Sequence, residues 1–216
     1  MPALSHRIPR VLWSASGPWK PHGSTWAPLI VGLSLFGVGE GLLVESRLGA
    51  SPWTVFAEGV SRHVHLPLGW TTALISGVVL VAWWPLRERP GLGTLANVVI
   101  IASVLQVTVS VVPPAGPWGM RELFVVLGVA VIGLGSALYL TCNLGPGPRD
   151  GLMTSLHRHS GLSVVYVRLG IEVSVLTLGW LLGGVAGIGT AVFAGGVGVA
   201  LGLGLRMVDR VAGQRA

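Results

Sequence analysis

Sliding the sequence against itself by 96 positions (145 − 49 = 96) superimposes its two halves without a gap. Gly32, Gly37, Gly39, Leu42, Leu48, Gly49 and Pro52 fall on Gly128, Gly133, Gly135, Leu138, Leu144, Gly145 and Pro148. Arg62-His63 falls on Arg158-His159, Trp84 on Trp180, and the GxGT string at Gly91–Thr94 on Gly187–Thr190. About a quarter of the positions from Gly32 to Leu105 are identical, more than shared Gly, Leu and Val richness supplies. The chain is an internal duplication, so its fold must be built from one unit used twice.

The solvent of that unit follows from composition. Half of the residues (51%) are hydrophobic and 10% are charged, against roughly 25% charged in an ordinary soluble domain. Crossing about 30 Å of hydrocarbon at about 1.5 Å per residue takes about 20 mostly apolar residues. Six segments qualify: Ala27–Arg47, Gly69–Leu86, Leu92–Val112, Glu122–Cys142, Val164–Gly183 and Ile188–Met207. A transmembrane β-barrel would alternate apolar and polar residues, and no such pattern is present. The expected fold is therefore all-α, a polytopic transmembrane helix bundle. Three spans per repeat is an odd number, so the second copy should lie upside down relative to the first, as in secondary transporters. The expected layout is a basic cytoplasmic tail (1–26), repeat one (27–112), an external Pro-rich connector (113–121), repeat two (122–207) and a second cytoplasmic tail (208–216).

The net charge of +6 is not a nucleic-acid signature, because the basic residues sit in loops and tails. With the N-terminus inside, Arg7, Arg10, Lys20, Arg87, Arg89, Arg149, Arg158, Arg206, Arg210 and Arg215 are cytoplasmic. Arg47, Arg62 and Arg121 then face out, ten against three, which predicts both termini in the cytoplasm. Residues 1–25 lack the apolar core of a signal peptide and read as a flexible tail. The single cysteine, Cys142, excludes an internal disulfide and a multi-thiolate metal site; no cofactor is expected.

Each repeat is interrupted by a short break, Leu48–Thr54 (LGASPWT) and Leu144–Gly151 (LGPGPRDG), before a helix too short to cross. Ser51 reads as the N-cap and Pro52 as the first residue of one short helix; Gly147 and Pro148 take those places in the other. Gly161 reads as its terminator. A helix start carries unpaired N–H groups and partial positive charge. Gly49, Ser51, Pro52, Gly145, Gly147, Pro148, Arg149 and Asp150 therefore form a candidate anion site if both breaks dip into the membrane. Arg149 and Asp150 lie in the first turn, where Asp150 suits a capping role. The breaks read equally as interfacial turns.

Charged residues at membrane depth cost about 2.5–3.5 kcal/mol on insertion scales and mark candidate pathways. Glu40, between Gly39 and Gly41, is the clearest, and its repeat mate is Ser136. Arg168 and Glu172 are four apart, hence on one helix face, where they can neutralise each other in the bundle interior. Asn97 is a weaker candidate. Thr94 and Thr190 read as bonding back onto their own helices, and Glu45 as snorkelling. The glycine rows (Gly37 and Gly41; Gly133 and Ala137; Gly187, Ala191 and Gly195; Gly198 and Gly202) read as helix-packing positions. No catalytic constellation emerges, so the protein is not expected to be an enzyme.

The strings LGASPWTVFAEGVSRHVHLPLG, RERPGLGTLANV, LGPGPRDGLMTSLHRHSGLSVVYVRLGIE and GWLLGGVAGIGTAVFA resemble the YczE branch of the YczE/YyaS/YitT integral membrane proteins over about Pro28 to Met207. The resemblance implies a bacterial plasma-membrane protein and supplies no substrate. Members often carry Asp directly after the Trp of the first break, where this chain has Thr54. The soluble C-terminal domain of YitT-type members is not expected after Met207. The first functional reading is a small-molecule or ion transporter, with membrane lipids and its solute as partners and a homo-oligomer left open. The alternative is a non-transporting membrane accessory or scaffold. A buried cavity containing Glu40 would favour the first, a solid bundle the second.

Overall fold

The computed structural model describes residues 8–212. Eight α-helices build it, with no strand among the described residues: α1 (Trp26–Ser46), α2 (Pro52–Val64), α3 (Leu68–Ala82), α4 (Leu92–Val111), α5 (Trp118–Thr141), α6 (Pro148–Ser160), α7 (Val164–Leu181) and α8 (Ile188–Ala212). The helices α2, α3 and α4 each begin 96 residues before α6, α7 and α8 (148 − 52 = 164 − 68 = 188 − 92 = 96). The duplication legible in residue identities is thus a duplication of elements. Pro52 and Pro148 set both short-helix starts, having no N–H to lose there. Gly161 ends α6 in the left-handed region (φ +69).

The long helices α1, α4, α5 and α8 form the centre, α1 lying between α4 and α5, and α5 between α1 and α8. Small residues make these contacts close. A Cβ on Gly32 would stand 2.8 Å from the Gly135 carbonyl, and one on Gly39 2.7 Å from the Gly128 carbonyl. These two crossings are images of each other under the 96-residue shift (32 + 96 = 128; 39 + 96 = 135). The register on α5 falls as that on α1 rises, so the equivalent helices α1 and α5 run antiparallel. Gly37 meets Ile101 and Val104, Gly41 meets Thr108, and Gly133 meets Ala200. Ala137 is met by Gly204. With no hydrophobic gain between helices in lipid, backbone approach of this kind supplies the packing. Gly195 and Gly198 face open space, so the expected packing role does not extend to them.

Among the described residues five helices are long and apolar enough to cross a membrane: α1 (with the 3-10 turn Gly23–Thr25 before it), α4, α5, α7 and α8. The expected crossing at Gly69–Leu86 is shorter. Its helix, α3, has 15 residues, about 22 Å at about 1.5 Å per residue, and meets α2 at 111°. Pro85 accounts for the early stop: it offers no N–H and disfavours helical angles at the residue before it. Counted with α2 as one bent span, it makes the sixth. Large apolar side chains point outward along these helices (Val78 71%, Val81 73% and Tyr166 71% exposed).

The expected N-terminal tail is ordered where it is described. Val11, Ala15 and Thr25 are buried, and residues 8–25 form a strap over the bundle end where α5 and α8 finish and α4 begins. Leu12 N–H donates to the Ala212 carbonyl (3.2 Å), Ala15 N–H to Cys142 (3.0 Å) and Leu92 N–H to Pro18 (3.0 Å). The Trp13 indole donates to the Thr141 hydroxyl (3.1 Å) and the Asn143 amide to the Ala15 carbonyl (3.0 Å). Unpaired groups at helix ends demand such partners, and that demand holds the strap down. The expected second tail begins inside α8, where Val208 and Ala212 are buried. Residues 1–7 and 213–216 of the two expected tails lie outside the described residues. At the opposite end Glu45 is buried instead of snorkelling, and its carbonyl accepts from Ala115 in the connector (2.9 Å).

Candidate functional site

After α1 and α5 the chain turns through Gly49 (φ +108) and Gly145 (φ +103), a region in which a Cβ is strained. Each turn docks onto the other repeat. The Leu48 carbonyl accepts from Gly189 N–H and the Leu144 carbonyl from Gly93 N–H, both at 2.8 Å. Gly49 lies against Gly187 and Thr190, and Gly145 against Gly91 and Thr94. The Thr94 hydroxyl accepts from Gly91 N–H (3.1 Å) at the start of its own helix, as Thr190 does from Gly187 N–H (3.3 Å), which is the expected bond back. It also donates across to the Pro146 carbonyl (2.7 Å). Gly49 and Gly145 therefore shape the elbows and do not line the cavity described next.

Both short helices begin facing the same interior space. Neither start carries a side-chain cap, which corrects the expectation for Ser51 and Asp150. The Ser51 hydroxyl lies 2.8 and 2.9 Å from the two Glu40 carboxylate oxygens, and the Thr54 hydroxyl donates to Glu40 at 2.8 Å. Glu40 is 2% exposed. Hydroxyls aimed at a carboxylate make stronger, charge-assisted bonds than a neutral cap, and this draws Ser51 away from its helix. In the second repeat, Glu40, Ser51 and Thr54 become Ser136, Gly147 and Asp150 (40 + 96, 51 + 96, 54 + 96). Asp150 accepts from the Tyr139 hydroxyl at 3.0 Å. Each break thus keeps one carboxylate, donated by α1 in the first and by α6 in the second. Thr54, standing where the resembling proteins often carry Asp, becomes a donor to Glu40.

The two breaks meet. The Arg149 guanidinium lies 5.2 Å from the centroid of the Trp53 ring, and these are equivalent positions (53 + 96 = 149). Around them is a cavity of about 250 Å³, lined by Glu40, Ser51, Pro52, Trp53, Thr72, Asn97, Ser136, Tyr139, Gly147, Pro148, Arg149 and Asp150 among polar and break residues. Phe36, Ile101, Ile132, Leu140 and Phe193 supply apolar wall. Asn97 sits beside Gly147. Among the described residues the ion pairs are Arg158–Glu88 and Arg168–Glu172, and Arg149 hydrogen-bonds to none of its neighbours. Arg149 is half-buried, with the Glu40 and Asp150 carboxylates facing it beyond ion-pair distance, and its stacking on Trp53 is worth about 0.5–2 kcal/mol. Trp53 N–H and the Thr72 hydroxyl are buried without a partner. The Trp83 indole anchors the wall, donating to the Pro148 carbonyl (3.0 Å) with its ring against Gly151.

Arg168 and Glu172 form the expected pair (2.8 Å), but at the cavity rim and not in the bundle interior, with the Arg168 side chain 53% exposed. The rim continues into a groove between α7 and α8 lined by Val164, Val165, Arg168, Leu169, Glu172, Phe193, Ala194, Val197 and Gly198. The equivalent pair differs: α3 packs along α4, where Gly69 lies against Ala102 and donates to the Gln106 side chain (2.8 Å). No His, Cys, Asp or Glu cluster fit for a metal occurs among the described residues. Trp53, Thr72 and Tyr139 were not singled out by sequence, and Thr54 was noted only for the Asp it replaces. For Trp53 a signal existed, since it aligns with Arg149 in the second break.

Apolar helices facing outward around a buried, charged cavity define a polytopic helical membrane protein. A family model described as a family of unknown function, DUF6198, matches residues 24–205, and the chain belongs to that family. An uncharacterised protein of Haemophilus influenzae is 42% identical over 204 residues, 94% of each chain. The Bacillus subtilis uncharacterised membrane protein YczE is 33% identical over 173 residues, covering 78% of this chain and 80% of its own. The Bacillus subtilis uncharacterised protein YyaS is 27% identical over 164 residues, 74% of this chain and 82% of its own. No solved structure matches the chain.

Proposed function

We propose that this protein is a transporter of a small molecule or ion in the bacterial plasma membrane, working by alternating access between two inverted repeats, with both termini cytoplasmic. The observation that carries the reading is the cavity in which Trp53 and Arg149 meet. A ligand held at the meeting point of two equivalent elements can be handed from one repeat to the other without leaving its site. The antiparallel crossing of α1 and α5 supports the inverted arrangement. The difference between repeats supports the motion: α3 lies on α4, while α7 stands away from α8. Exchanging these two packings would close the groove at α7 and open one at α3. Taking Arg149 into the cavity leaves nine basic residues against three, so the charge bias for the termini survives. A solid bundle would have favoured an accessory role, and a cavity holding Glu40 counts against it.

The test is uptake and efflux in reconstituted vesicles, with wild type beside Glu40→Gln and Arg168→Ala. Saturable movement of a solute by wild type, lost or altered in Glu40→Gln, is expected. If wild type moves no member of a broad panel, with or without an ion gradient, the transport reading falls.

A further inference from the structure

The cavity carries a cluster of donors that have no hydrogen-bond partner among the described residues. Both carboxylates already accept hydroxyl donors, Glu40 from Ser51 and Thr54, Asp150 from Tyr139. The Arg149 guanidinium offers five N–H groups in a planar fork; it stacks on Trp53 and has Glu40 and Asp150 nearby, but none of its N–H groups is hydrogen-bonded to a described residue. Trp53 N–H and the Thr72 hydroxyl add two more unpartnered groups on residues that are 7% and 3% exposed. Asn97 lines the same space with its amide unengaged by described residues. The N-terminus of α6 brings partial positive charge to that side. What completes such a cluster is a negatively charged hydrogen-bond acceptor with two oxygens in a plane. Phe36, Ile101, Ile132, Leu140 and Phe193 line the same space and have nothing to offer a polar group. The volume of about 250 Å³ equals roughly eight waters at about 30 Å³ each.

We propose that the cavity binds a small organic monocarboxylate, its carboxylate paired in two-pronged fashion with Arg149 and its apolar body against the Phe36–Ile132–Phe193 wall. This deepens the transport reading and rests on it, but the site is testable by binding alone. Purified protein in nanodiscs is titrated with benzoate, benzylamine and benzyl alcohol, which share a ring and differ in charge. Wild type should bind benzoate saturably and the other two far more weakly. Arg149→Gln should weaken benzoate about tenfold to a hundredfold, the worth of a charge-assisted pair. Arg210→Gln, on the exposed end of α8, should leave it unchanged. If Arg149→Gln aggregates, Arg149→Lys serves instead: it keeps the charge, loses the fork, and should still weaken benzoate severalfold.

Equal binding of benzyl alcohol, preference for benzylamine, or full benzoate affinity in the Arg149 variants would each overturn the proposal. Displacement of benzoate by sodium chloride at equal concentration would overturn the organic class, since an inorganic anion would then suffice. Benzoate binding without flux of any carboxylate keeps the site and removes transport. Flux of a solute that competes with benzylamine and not with benzoate keeps transport and removes the site.

Discussion

Trp53 and Arg149 occupy the same place in two copies of one unit, and they stack at 5.2 Å. Equivalent residues can touch each other only close to the axis that exchanges their repeats. Their contact brings both helix starts, with Glu40 and Asp150, to the lining of one cavity. The pair is also unlike: one copy keeps an aromatic face, the other a cation, so the site is asymmetric at its centre.

Glu40 holds the first break together through the hydroxyls of Ser51 and Thr54. Glu40→Ala leaves Ser51 only the Thr54 hydroxyl (3.1 Å) to donate to and Thr54 no acceptor, at about 1–3 kcal/mol for an unsatisfied group, and should lower the thermal midpoint in detergent clearly. Glu40→Gln retains an acceptor oxygen and should lower it much less. Equal destabilisation by both would show that charge, not hydrogen bonding, holds the break.

Glycines on the central crossing should tolerate nothing larger. Gly32→Leu and Gly39→Leu drive side chains into the α5 backbone and should cost at least the about 1–3 kcal/mol of core overpacking, seen as aggregation or loss of folded yield. Gly195→Ala and Gly198→Ala open onto space and should fold as wild type. A similar yield across the four variants would refute the crossing.

The elbows offer a paired comparison. Gly49→Ala and Gly145→Ala place a Cβ at φ +108 and +103, 2.5 and 2.8 Å from the Thr190 and Thr94 hydroxyls. Both should destabilise by more than about 1 kcal/mol, and by similar amounts, as read from denaturation midpoints. A large effect at one and none at the other would mean that the reciprocal docking of the breaks is not reciprocal in energy.

Cys142 is fully buried beneath the N-terminal strap, its thiol near the Thr25 and Leu138 carbonyls. In folded protein, maleimide labelling of this single cysteine should be slow and should speed up on unfolding. Replacing Trp13 by Ala removes the hydrogen bond to Thr141 and should accelerate labelling before global unfolding. Rapid labelling of wild type would mean that the strap does not hold that end closed.

Much of the architecture was legible because it rests on local chemistry and on counting. Prolines at helix starts, glycines at positive φ and long apolar runs are each set by a few neighbouring residues, and a duplication shows itself in one comparison. Glu40, Asn97, Arg168, Glu172 and the break residues Ser51, Pro52, Gly147, Pro148, Arg149 and Asp150 were candidates from sequence, and they do line one cavity. Their bonding was not legible. Ser51 and Asp150 read as caps because capping is the local use of such residues, but a carboxylate 11 positions away and a tyrosine 11 positions away compete better.

The sequence by itself determined that the chain is a doubled, all-helical membrane unit with a break in each copy, because hydrophobic period, proline and glycine act through the backbone nearby. Only the tertiary structure decided that Thr54 serves Glu40, that the N-terminal segment straps the bundle, and that Arg149 is left beside Trp53 without a partner. Those outcomes depend on which groups from distant segments arrive within about 3 Å of one another, and no local pattern encodes that distance.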